Sequence, residues 1–228
     1  MRLTLALPAL LLVATVILSG CSGSHAVGAA SCNGLTRASL PNVPANHTLV
    51  ALATSKGCIV AELYDDKAPI TAANFVNYTK DGFYNQTLIH RISKNFVLQA
   101  GGTGVDGEHK DATYPPITNE AGTSGLHNVQ YSFSMARNKD PNSATSEFFI
   151  NVKDNSDCLD AVTGRCDPTH NGYAVFAQVV QGQKVVDAIH ALPVTKSEAH
   201  GYCISLEDGQ GGSCPVDPVE IFSAVVLP

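Results

Sequence analysis

Leu88-Ile89-His90-Arg91-Ile92-Ser93-Lys94-Asn95-Phe96-Val97-Leu98-Gln99-Ala100-Gly101-Gly102 is the stretch on which the fold turns. Its counterpart is Phe133-Ser134-Met135-Ala136-Arg137, continuing to Ser146-Glu147-Phe148-Phe149-Ile150-Asn151-Val152. Both are rich in β-branched and aromatic residues and are bounded by glycine or polar turns, which predicts extended chain. Successive side chains of a strand point to opposite faces. Ile89 and Arg91 are therefore expected on one face, with Leu88, His90 and Ile92 on the other. In the second stretch Glu147, Phe149 and Asn151 share a face opposite Phe148, Ile150 and Val152. The purely apolar set is core, and Phe149 is either the wall of a groove or an exposed aromatic. Arg91 is a lone cation among apolar neighbours.

Working outward, further strands are expected at Leu49–Thr54, Ile59–Tyr64, Tyr131–Met135, Ala174–Val180 and Glu220–Val226. Thr87–Ile92 and Phe96–Gln99 cover the strands of the first stretch. Pro69 suits the first turn of a helix. Ala72, Phe75, Val76 and Thr79 follow at helical spacing, and Gly82 ends it. A second helix is expected at Gln183–Leu192. Many short strands with two widely separated helices predict an antiparallel sheet closed as a barrel or sandwich and capped by helices.

Composition sets the outer limits. Of 228 residues, 44% are apolar and 15% charged, which excludes a disordered polyelectrolyte. A net charge of −6 without a basic run argues against nucleic-acid binding. Gly101-Gly102-Thr103-Gly104 lacks the Lys-Ser/Thr of a phosphate cradle and reads as a turn. There is no G-x-S-x-G and no H-E-x-x-H, so ordinary hydrolytic machinery is missing.

Residues 1–20 read as a secretion signal: Arg2, then an almost wholly apolar run from Leu3 to Leu18, then Ser19-Gly20 before Cys21. That ending resembles the lipobox of bacterial lipoproteins, which implies cleavage before Cys21 and a lipid on its thiol. Residues 21–46, small and polar with Gly and Pro, read as a tether, and 47–228 as one domain. Without Cys21 six cysteines remain, an even set that in an exported protein favours disulfides. Sequence alone allows 15 pairings of six cysteines. Proximity favours Cys158–Cys166 and Cys203–Cys214, leaving Cys32 with Cys58. No C-x₂-C pair exists to support zinc, and no metal is expected.

The two quoted stretches resemble the cyclophilin family of peptidyl-prolyl cis–trans isomerases, whose signatures are F-H-R-I-x-x-x-F-x-x-Q-x-G and S-M-A followed by S-Q-F-F-I. Leu159-Asp160 and Tyr173-Ala174-Val175-Phe176 extend the likeness over about 50–228, and the exported bacterial branch fits best. The resemblance implies a closed eight-stranded antiparallel barrel capped by two helices, with substrate on its outer surface. It implies that Arg91 is the catalytic arginine. Phe96, Val97, Phe149 and Leu159 would hold the proline ring. Gln99, Ala136 and Arg137 would meet the peptide backbone. His90, Glu147 and Tyr173 complete the expected substrate site, Tyr173 standing where many members have His. No cofactor is implied.

Four departures stand out. Val97 replaces a common Met. Cys158 replaces a Trp that favours cyclosporin binding in the family, so weak cyclosporin affinity is expected. Glu147 replaces Gln, and its carboxylate is expected to pair with Arg91 and weaken catalysis. An insertion, roughly Ala161–Gly172, separates Leu159-Asp160 from Tyr173. The resulting expectation is a monomeric isomerase acting on proline-containing polypeptides. It would be lipid-anchored on the periplasmic or extracytoplasmic side of a bacterial envelope, with Ser22 suiting an outer membrane. One alternative is a low-activity holdase or partner-binding module on the same fold. Another is a hollow ligand-carrying barrel.

Overall fold

The computed structural model describes residues 32–40, 42–195 and 213–228. The leader, Cys21 and Cys203 lie outside the described residues. Eleven strands run in chain order: β1 (Leu49–Thr54), β2 (Gly57–Leu63), β3 (Thr87–Leu88), β4 (Arg91–Ser93), β5 (Val97–Ala100), β6 (Ser132–Met135), β7 (Phe148–Asn151), β8 (Val175–Gln181), β9 (Val194–Thr195), β10 (Cys214–Pro215) and β11 (Glu220–Val226). The helices are α1 (Pro69–Lys80), the single turn α2 (Ser156–Leu159) and α3 (Gln183–Ala191). A 3₁₀ turn at Arg37–Ser39 precedes them.

The expected closed, eight-stranded barrel with two helices is corrected on each count. Among the described residues nine strands form one antiparallel sheet in the order β3-β11-β1-β2-β8-β6-β7-β5-β4, β9 and β10 form a separate pair, and three helices are present. The cause lies in the run Thr87–Ile92, which reads as one strand but is two. β3 pairs with β11 and β4 with β5, so its halves stand on opposite edges of the sheet. Among the described residues β3 and β4 share no ladder, and the sheet is open. It is strongly curled all the same, because Leu88 and Arg91 are three residues apart and cannot be separated by more than about 11 Å. The break also corrects the alternation. Ile89 joins the core together with Ile92, instead of sharing a face with Arg91.

The concave side is filled, which removes the hollow ligand carrier. α1 carries Phe75 into the sheet, where its ring lies 5.0–5.2 Å from Tyr84, Phe148 and Phe176. Phe133 stacks on Phe148 at 5.5 Å. Each such aromatic pair adds about 0.5–1.5 kcal/mol beyond simple burial. Ala68, at the N-cap of α1, has no side chain to cap it. Glu120 supplies the missing acceptor, taking hydrogen bonds from Ile70 N (3.1 Å), Thr71 N (2.8 Å) and Thr71 Oγ1 (2.7 Å). At the other end of the sheet, Lys94 in the β4–β5 turn donates to the carbonyls of His190 and Leu192, capping α3. Asn95 N donates to His190 Nε2 at 2.9 Å, so the turn is fixed against that helix.

Residues of the expected tether lie against the domain. Leu35, Leu40 and Val43 pack on Leu49, Ala51, Val60 and Leu227, and Cys32 is bonded to Cys58. Arg37 N donates to Pro228 O at 3.2 Å. Cys158 is bonded to Cys166. Cys214 is also in a disulfide, with its partner outside the described residues.

Candidate active site

The register of the antiparallel ladders lines up Arg91, Gln99, Phe149 and Ser134 across β4, β5, β7 and β6. Because their neighbours Ile92, Leu98, Phe148, Ile150 and Phe133 belong to the core, this row faces outward. One step along β5, Val97 shares that outer face. It packs with Phe149 and Leu159 in a small apolar cluster, with Phe96, Ala136, Cys158 and Tyr173 around it. Phe149 is thus a wall and not an exposed ring.

A hollow of about 150 Å³ opens over this cluster. Arg91, Phe96, Val97, Gln99, Ala136, Arg137, Phe149, Leu159 and Tyr173 line it, together with Cys166. Two residues expected at the site, His90 and Glu147, are not part of the lining; they stand behind Gln99. Arg91 is only 8% exposed, and its Nη1 donates to Gln99 Oε1 at 3.3 Å. Gln99 Nε2 in turn donates to Glu147 Oε2 at 2.7 Å. The Glu147 carboxylate therefore meets Gln99, which stands between it and the guanidinium. An ionised carboxylate only accepts, so it fixes which end of the Gln99 amide faces Arg91. Glu147 also packs over Gly102, where a Cβ would collide with its side chain.

His90 lies 3.6 Å from Glu147. Burial pushes the His90 pKa below the usual histidine value; Glu147 opposes that shift, and Arg91 and His109 reinforce it. Phe96 is placed by Asn155, whose Nδ2 donates to the Phe96 carbonyl at 2.9 Å and to Asn151 Oδ1 at 2.8 Å. Leu159 closes the one-turn α2, and Tyr173 N donates to its carbonyl at 3.0 Å.

Arg137 lines the hollow while its guanidinium is held from behind. Its side chain is 3% exposed and is gripped by the insertion: Nε donates to Gly172 O at 3.0 Å and Nη2 to Asp167 Oδ2 at 2.5 Å. Nη1 donates to Asn138 O at 2.9 Å, and the guanidinium carbon lies 4.4 Å from the centre of the Tyr173 ring. Tyr173 meets Phe149 edge-on at 5.7 Å. Burial alone would raise the Asp167 pKa. Hydrogen bonds from Thr169 and Gly172, and the charge of Arg137, outweigh it and bring the group down to about 2. Cys166, Asp167 and Gly172 were not among the expected site residues. The available signal was Cys158, next to Leu159, whose bonding partner has to stand at the same rim.

Among the described residues no group of three or more His, Cys, Asp or Glu side chains is placed to hold a metal. What the hollow offers is an apolar floor, two buried guanidinium groups in its lining, Arg91 and Arg137, and the amide of Gln99.

Comparisons with known proteins give the family. Residues 49–208 match the family model of the cyclophilin-type peptidyl-prolyl cis-trans isomerases. A peptidyl-prolyl cis-trans isomerase of Streptomyces antibioticus is 44% identical over 180 residues, spanning 78% of this chain and 98% of that protein. Peptidyl-prolyl cis-trans isomerase B of Escherichia coli is 42% identical over 153 residues, spanning 67% of this chain and 90% of the relative. The crystal structure of a cyclophilin-type isomerase from Cryptosporidium parvum shares the fold with a TM-score of 0.62 at 21% identity, covering 80% of this chain and 98% of that one. From the family match and the extent of these likenesses, this chain belongs to the cyclophilin-type peptidyl-prolyl cis–trans isomerase family.

Proposed function

We propose that this isomerase turns X-Pro bonds of exported polypeptides on the outer face of the sheet, with Arg91 as its catalytic residue. Isomerase activity comes with the family. Rotation about the bond must break amide resonance, a barrier of about 18–20 kcal/mol. Uncatalysed exchange takes tens to hundreds of seconds. Millisecond turnover therefore requires a gain of roughly 10⁵-fold, or about 7 kcal/mol.

In this reading Phe96, Val97, Phe149, Leu159 and Tyr173 hold the proline ring while the preceding carbonyl swings. Gln99 and the backbone at Ala136 hold the flanking peptide. As the bond twists, the proline nitrogen becomes pyramidal and recovers a lone pair. A guanidinium N–H aimed at that nitrogen binds the twisted state better than the planar one, which lowers the barrier. Arginine remains charged at any physiological pH. The observation carrying this reading is that Arg91 borders the same hollow as Phe149, Val97 and Leu159.

Export and anchoring rest on the sequence of residues 1–21 and on the disulfides Cys32–Cys58 and Cys158–Cys166, which suit an oxidising compartment. A lipid on Cys21 would hold the domain at the membrane through the residues that follow it. Because Cys32 is tied to β2, the reach available is that of residues 22–31. The clients would be newly exported, proline-containing chains close to the membrane.

The test is refolding of a proline-limited substrate by wild-type protein and by Arg91→Ala. Loss of one interaction to the developing charge costs about 10²–10³-fold in catalysed rate. Equal rates for the two proteins would favour the alternative, a holdase or binding module on the same fold.

A further inference from the structure

We propose that Asp167 is a positioning residue of the proline-binding hollow, and that the insertion 161–172 serves as a fixed end wall that sets substrate affinity. The inference rests on the reading that this hollow holds the proline ring.

The insertion is not a pendant loop. It is closed covalently by Cys158–Cys166, and Cys166 itself lines the hollow. Its far end is equally tight: Gly172 has φ +67, and a Cβ there would lie 2.7 Å from Ala161 Cα. Between these points the Asp167 carboxylate receives four donors: Thr169 N at 3.0 Å and Thr169 Oγ1 at 2.7 Å on Oδ1, and Gly172 N at 2.9 Å and Arg137 Nη2 at 2.5 Å on Oδ2. The carboxylate cannot rotate without losing several of them.

The contacts then run in one direction, from Asp167 to Arg137, from Arg137 to the face of Tyr173, and from Tyr173 to Phe149 in the hollow. A cation buried as deeply as Arg137 is tolerated only while its counter-charge is present. Removing the charge of Asp167 drives Arg137 toward water and leaves Tyr173 without its stacking partner. The hollow then widens at that end. Arg91 and Gln99 sit on β4 and β5, outside this chain of contacts. Planar and twisted substrate would lose the same contact, which raises KM and spares kcat.

The experiment measures kcat and KM for an X-Pro peptide with wild type, Asp167→Asn, Asp167→Glu and the charge-free pair Arg137→Met/Asp167→Leu. The Asn variant is expected to raise KM about five- to tenfold with kcat within about twofold. The Glu variant, which keeps the charge, should recover part of the affinity. The charge-free pair leaves no unpaired ion, so it serves if the Asn variant does not fold, and it should also show a raised KM because Tyr173 has lost its cation. An unchanged KM in folded Asp167→Asn, or in the charge-free pair, would overturn the inference. So would a drop in kcat alone, the sign of a smaller active fraction. Absence of isomerase activity in the wild type would instead overturn the proline-hollow reading.

Discussion

The two described intramolecular disulfides should separate stability from affinity, and in opposite order. In the chain-entropy account a disulfide stabilises by shortening the unfolded ensemble, and the gain grows with the closed loop. Cys32–Cys58 spans 26 residues and Cys158–Cys166 spans 8. The same relation gives about 3.5 kcal/mol for a loop of that longer size and about 2.5 kcal/mol for the shorter. Replacing Cys32 and Cys58 together with serine should therefore be the costlier change. For a chain of this length it corresponds to roughly 7–14 °C in Tm. Catalysis should not notice, because Cys58 packs on the far outer face with Leu49, Ala51 and Val60. Replacing Cys158 and Cys166 should cost less stability but loosen the wall that Cys166 forms, so KM should rise several-fold, to no more than about the tenfold expected of lost uniform binding. Urea unfolding gives the first quantity and peptide isomerisation the second. Paired substitutions are preferable to a reductant, which would also break the disulfide at Cys214. A larger stability loss from opening the short loop, or a KM change that follows Cys32 and Cys58, would refute this assignment of the two disulfides.

Two smaller predictions concern single residues. Glu147→Gln keeps an acceptor for the Gln99 amide but removes the negative charge that Gln99 relays toward Arg91; kcat/KM should rise by up to about fivefold, the equivalent of ~1 kcal/mol, and unchanged or lower turnover would reject the effect. Val162 is 79% exposed and held at φ 69, a left-handed conformation that costs a β-branched residue dearly. Val162→Asn should therefore raise unfolding stability by about 1 kcal/mol, and a loss of stability in urea would contradict this.

Much of the architecture was legible because period-two alternation is a direct consequence of the pleat. Leu49–Thr54 and Glu220–Val226 stand where the pattern predicts them, and Pro69 begins α1. Phe148 and Ile150 are core, and Phe149 faces the hollow. Alternation failed at Ile89-His90, because a short apolar run looks the same whether it is one strand or two halves on opposite sheet edges. The size and closure of the sheet depend on that distinction. The short α2 and the pair β9–β10 carry too few residues for any periodicity to register.

The hollow divides in the same way. Arg91, Val97, Gln99 and Phe149 lie on regular strands, so their common face follows from local geometry and ladder register. The chain itself determined that chemistry: one guanidinium, a set of rings and an amide at fixed spacing. Only the folded molecule decided what surrounds it. Glu147 reaches Gln99 and not Arg91, and Arg137 turns into an insertion that no strand pattern covers. Those outcomes depend on long side chains choosing among partners distant in sequence. Their choice is set by burial and by competing hydrogen bonds, neither of which exists until the sheet has curled and the loops have closed over it.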